Sequence, residues 1–124
     1  MYAISTDKAP RAIGTYSQGA SAGRYVFTSG QIGLDPMTRE FVEGGAYEQV
    51  VQAIHNCAAV LAAGQVGLAD VVKTTVFVTD IAYKDDVDRA FKELFPSPRP
   101  ARSLVEVAAL PRNALVEVEC IACR

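Results

Sequence analysis

Apolar residues recur along this chain with two periods, and the switches between them mark out its elements. From Ala46 to Ala63, Val50, Ile54, Cys57 and Leu61, with Ala53 and Ala58 beside them, return at three- and four-residue steps, which predicts an amphipathic helix. Gly64 follows as the expected left-handed stop. A second helix is predicted from about Ala82 to Phe95, capped by Asp80 and striped by Val87, Ala90, Phe91 and Leu94; Pro96, Pro98 and Pro100 end it. Elsewhere the period falls to two. Met1 to Ser5 reads as a short edge strand, and Ala20 to Ala22 with Tyr25 to Leu34 as a hairpin about Gly23. In Val71 to Val78, the residues Val72, Thr74, Val76 and Val78 share one face, and Val71, Lys73, Thr75 and Phe77 share the other.

The last stretch, Pro100 to Cys123, holds two further strands joined by the turn Leu110-Pro111-Arg112-Asn113. In the first, Arg102, Leu104 and Glu106 alternate with Ser103, Val105 and Val107. In the second, the apolar row Val116, Val118, Cys120 and Ala122 forces Glu117 and Glu119 to the opposite face.

The order strand, strand, strand, helix, strand, helix, strand, strand predicts an α+β fold of two layers, with one six-stranded mixed sheet. Right-handed helical crossovers from strand three to four and from four to five put both helices on one face of it. Phe27, Phe77, Leu104 and Ile121 are the candidates for the other face. That much apolar sheet in water would be adhesive, so the pattern predicts an oligomer.

Composition narrows the class. A chain of 124 residues, half of them hydrophobic, fits one domain over residues 1–124. A formal charge of −2 argues against a nucleic-acid partner, and no apolar run approaches the roughly 20 residues that cross a bilayer. The opening MYAISTDKAPRAIG has no signal-peptide core, so a cytoplasmic, soluble protein with reduced cysteines is expected. Cys120-Ile-Ala-Cys123 has CxxC spacing, but strand residues three apart face opposite ways and do not converge on a metal. His55, the lone histidine, falls with Gln52 and Asn56 off the apolar stripe of the first helix, toward solvent. There is no triad, phosphate loop or cofactor motif, and neither metal nor cofactor is expected.

Three stretches carry a resemblance. Thr6 to Gly19 is a long loop without a period, of the kind that lines a site, and within it Ala9-Pro10 leads on to Tyr16-Ser17-Gln18-Gly19. Thr28-Ser29-Gly30-Gln31 breaks a strand with a glycine whose bare amide can donate to a ligand. Parity puts Ser29 with Phe27 and Tyr25, and Gly30 with Val26 and Thr28. The third is Pro100-Ala101-Arg102-Ser103 followed by Val116-Glu117-Val118-Glu119. Together they closely resemble the Rid family, also called YjgF, the reactive-imine deaminases.

The resemblance implies a YjgF-like fold, similar to chorismate mutase, closed into a homotrimer with pockets between subunits. By it, Arg102 binds a substrate carboxylate and Glu117 orients and deprotonates the attacking water. Tyr16, Ser29 and Gly30 line the pocket, and Leu104, where many members carry cysteine, offers its main-chain carbonyl. The implied substrates are small 2-imino or enamino acids such as 2-aminoacrylate and 2-iminopropanoate, hydrolysed to 2-keto acids and ammonia. Asp88 stands where many members have asparagine, and Thr15 where they have proline. A non-catalytic trimer that binds 2-keto acids or hydrophobic clients is the alternative. Ribonuclease activity ranks below both, and mutase activity rests on fold analogy alone.

Overall fold

The computed structural model describes residues 1–124. Six strands form a single sheet: β1 (Tyr2–Ile4), β2 (Gly19–Ala22), β3 (Tyr25–Thr28), β4 (Val71–Val78), β5 (Ala101–Glu106) and β6 (Val116–Cys123). Two helices, α1 (Ala46–Ala63) and α2 (Lys84–Leu94), accompany them. The spatial order is β1-β2-β3-β6-β4-β5. Only β4 and β5 run parallel; every other neighbouring pair is antiparallel. The last strand thus inserts between β3 and β4, so β1 and β5 are the edges.

Both helices lie on one face, as the crossover argument requires. Val50, Ala53, Ile54, Cys57 and Leu61 of α1, with Val60, join Val87, Ala90 and Phe91 of α2 over Val76 and Val78 of β4 and Val116, Val118, Cys120 and Ala122 of β6 in one buried cluster. Their removal from water drives the fold, at about 1.5–3 kcal/mol for each large side chain. On the opposite face Tyr25, Phe27 and Val105 are exposed, and Phe77 and Ile121 only partly covered. Tyr25 and Phe27 contact each other there, with ring centroids 6.4 Å apart.

Four local expectations change. Strand β4 carries a bulge between Val71 and Lys73, so Val71 is buried with Thr74, Val76 and Val78, whereas Val72 turns out to solvent. One extra residue reverses the alternation on its N-terminal side. At the end of α1 the left-handed residue is Gln65 (φ 67), not Gly64 (φ −88). Gly64 is needed for proximity instead: a Cβ there would lie 2.8 Å from Val26 Cγ1 and 2.9 Å from Ile4 Cδ1. Asp80 accepts from the Ala82 N–H, but the turn it caps, Ile81–Tyr83, is a 3-10 turn that precedes α2.

The fourth is Asn56, which is buried rather than solvent-facing. Its Nδ2 donates to the carbonyls of Ile32 (3.1 Å) and Leu34 (2.9 Å), and its Oδ1 accepts from Gln52. The chain after Gln31 has left the sheet, and those carbonyls need donors once covered by α1. His55 is exposed, as expected.

Candidate active site

Glu117 owes its position to β6. Because Val116 and Val118 pack under the helices, Glu117 and Glu119 point to the open face, with Phe77 of β4 directly beside Glu117. On the other side β3 pairs with β6 only through Tyr25, Val26 and Phe27. After Thr28 the chain steps away from β6 and returns at Gln31, which exchanges two backbone hydrogen bonds with Val118 (2.8 and 2.9 Å). Ser29 and Gly30 form the arch between. A Cβ on Gly30 would sit 2.6 Å from Glu117 Oε2 and 2.7 Å from its carboxyl carbon, so the arch can lie over the carboxylate only with glycine there.

The Gly30 N–H donates to no atom of the chain, and Gly30 lines the cleft together with Glu117. Burial raises the Glu117 pKa above the usual carboxylate value, and the negative charge of Glu119 raises it further. A half-buried carboxylate beside an unused donor is suited to holding a water and taking its proton.

The cleft has a volume of about 160 Å³. Tyr16 forms a wall, its hydroxyl accepting from the Ile13 N–H at 3.4 Å. The loop that carries Tyr16 is fixed by buried Gln18, whose Oε1 accepts from the Thr6 N–H (2.7 Å) and whose Nε2 donates to the Thr6, Ala9 and Pro10 carbonyls (3.0, 3.2 and 2.8 Å). Arg11, Arg39 and Arg112 stand around the opening.

Ser29 does not line this cleft. Its hydroxyl donates to the Ser17 carbonyl (2.6 Å) and its N–H to that of Gln18 (2.8 Å), tying the arch to the Tyr16 loop. The strand parity that paired Gly30 with Val26 fails because β3 ends at Thr28.

Arg102 is elsewhere. In the β4–β5 register Arg102 lies opposite Thr74, and Leu104 opposite Val76, so both face the helices. Leu104, expected on the bare face, is half-buried against the core. The alternation along β5 holds, but the row with the two charges lies toward the helices and not on the bare face. An edge strand accommodates Arg102 on the helix side because α2 supplies Asp88, whose Oδ1 accepts from Nη2 at 2.7 Å. The guanidinium also lies 5.0 Å from the centre of the Phe91 ring. Arg99, Pro100 and Lys92 complete a shallow depression around it.

Within one chain, then, Arg102 and Glu117 occupy opposite faces of the sheet and line different clefts. Tyr16, Gly30 and Glu117 come together; Arg102 and Leu104 form a second group. Gln18, Asn56 and the three arginines of the rim were not among the predicted residues. A glutamine beside a glycine in an aperiodic loop is a signal for such a staple, but the rim arginines come together only through the folding of three separate loops.

A family model described as Endoribonuclease L-PSP matches residues 6–124. The chain is 44% identical over 119 residues to the human protein named 2-iminobutanoate/2-iminopropanoate deaminase, covering 96% of this chain and 87% of that one. It belongs to the Rid (YjgF) family. The Arabidopsis thaliana member named Reactive Intermediate Deaminase A, chloroplastic, is also 44% identical over 119 residues, and the match covers 96% of this chain and 64% of that protein. Among solved Rid structures, RidA from an Antarctic Psychrobacter is 42% identical over the whole of both chains, with a TM-score of 0.96. E. coli TdcF with bound serine is 36% identical, with a TM-score of 0.95 over 100% of this chain and 99% of that one. The six-stranded sheet with two helices on one face is thus the architecture of the family.

Proposed function

We propose that this chain hydrolyses small 2-imino acids, and the enamines that tautomerise to them, to 2-keto acids and ammonia in a site completed by a second copy. The observation that carries the reading is the half-buried Glu117 carboxylate against Gly30, whose N–H is unused by the chain. The names of relatives at 44% identity point the same way. Glu117, Gly30 and Tyr16 come from one subunit. Arg102 comes across the β5 edge of another and grips the substrate carboxylate with two parallel N–H bonds. The exposed apolar sheet face supports such an association, most simply a closed trimer.

In the reaction, water adds to carbon 2 of the iminium while Glu117 accepts one of its protons. The C2–O bond forms and the C=N π pair moves to nitrogen. Glu117 returns the proton to that nitrogen, then takes the hydroxyl proton as the C–N bond breaks, so that the carbinolamine becomes the ketone, ammonia leaves with the C–N pair, and the proton passes from Glu117 to ammonia or solvent. The Leu104 main-chain carbonyl helps to hold the water. Such imines hydrolyse unaided, so positioning and electrostatics suffice as catalysis. We place the protein in the cytoplasm; no helix is long and apolar enough to cross a membrane.

The test mixes the protein with an amino-acid oxidase and its substrate and follows free imine as the semicarbazone. Faster loss than without the protein is expected. An unchanged rate, with 2-keto acid still bound by the protein, would leave a non-catalytic binder. Ribonuclease activity has less support, despite the family description, because His55 lines neither cleft.

A further inference from the structure

Asp88 is the one acidic side chain in the Arg102 depression, where the Rid resemblance leads one to expect asparagine. One of its oxygens accepts from Arg102 Nη2 at 2.7 Å and the other from Lys84 Nζ at 2.6 Å. The three groups are linked as cation, carboxylate, cation, so the trio carries one net positive charge. Arg102 uses a single N–H on Asp88, and no other hydrogen bond of its side chain to the protein forms. Phe91 lies beneath the guanidinium plane. A carboxylate next to a substrate-binding arginine would by itself compete with the ligand; here Lys84 occupies its second oxygen.

We propose that Asp88 is a positioning residue for 2-imino acid recognition: it fixes the Arg102 guanidinium over Phe91 with its remaining N–H groups free, while Lys84 offsets its charge. The inference rests on the assignment of Arg102 to the substrate carboxylate. An arginine on an edge strand otherwise has many rotamers open to it, and part of that freedom is lost on each binding event. Prepaying it shows in affinity for carboxylates and not in the chemical step.

The experiment compares Asp88→Ala, Asp88→Asn and Lys84→Met in steady-state imine hydrolysis. Inhibition by 2-oxobutanoate is set against that by its primary amide, which lacks the carboxylate. Asp88→Ala is expected to raise KM and the 2-oxobutanoate inhibition constant about tenfold with kcat nearly unchanged, and to leave inhibition by the amide unaltered. Asp88→Asn retains an acceptor for Nη2 and should rescue most of that loss. Lys84→Met, which leaves the carboxylate uncompensated, should weaken 2-oxobutanoate about threefold.

An unchanged KM in Asp88→Ala would overturn the proposal, and a lowered one would make Asp88 a competitor of the substrate. Equal weakening of the amide would reduce it to a structural contact. The parent assignment fails separately: if Arg102→Ala still hydrolyses imine normally, Arg102 is not the carboxylate site at all.

Discussion

Glu117 and Arg102 are both charged residues on strands, yet the sheet treats them in opposite ways. Glu117 sits on an interior strand with β4 on one side and the Ser29–Gly30 arch on the other, so it is half-buried and its pKa rises. Arg102 sits on the outermost strand, paired with Asp88 and 21% exposed at its side chain, with nothing beyond β5. Burial in an enclosed cleft suits a group that must trade a proton near neutrality. Edge placement suits a group that must reach a ligand held largely by another molecule. The two halves of the proposed site are both partly covered, but Arg102 has a counter-charge beside it whereas Glu117 has a like charge.

The largest effect is expected at the arginine. Arg102→Ala should abolish imine hydrolysis while costing about 1–3 kcal/mol of stability, since its side chain is mostly covered and packs on Phe91, with Lys84 left to hold Asp88. Activity by semicarbazone loss and melting temperature, taken together, check this. Arg102→Lys keeps charge but not the two-pronged geometry and should lose most of the activity.

Next comes the carboxylate. Glu117→Gln should lower kcat by roughly 10²–10⁴-fold, the usual worth of a general base, with a smaller change in KM. The same variant reads out the cost of burying the Glu117 charge. Because the folded-state pKa of Glu117 is raised, its ionisation costs stability once the pH exceeds that pKa, and the cost is absent below the unfolded value. Glu117→Gln should therefore melt higher than wild type at neutral pH, and the gain should vanish in acid.

The smallest effect concerns its neighbour. Glu119 contributes the second cause of the raised pKa, so Glu119→Gln should move the acid limb of the kcat/KM profile to lower pH and leave the plateau nearly intact. An unmoved limb would mean that another group sets it.

Much of this arrangement was legible because it depends on local periodicity. The α1 boundaries, the two faces of β6 and the turn before it all follow from spacing, and Glu117 follows from the valines on either side of it. What escaped depends on events between elements. The bulge at Val72 reverses a row that alternation alone would continue. Leu104 was misplaced because a charged row looks external until an acid from a distant helix is there to receive it. Asn56 looked solvent-facing on a helical wheel, which shows the helix but not the loop carbonyls folded against it. Strand parity misplaces Gly30 for a local reason: the strand ends at Thr28, two residues before it.

If Arg102 of one copy and Glu117 of another serve a single site, two chains that each lack one of the pair should complement each other. Co-expressing an Arg102→Ala chain and a Glu117→Gln chain under different tags, and purifying through both tags, yields oligomers that contain both. Each chain is expected to be inactive alone. In a closed trimer one interface of three joins an intact Glu117 to an intact Arg102, so imine hydrolysis should return to about a third of the wild-type rate per trimer. Mixed oligomers no more active than either parent would contradict the shared site.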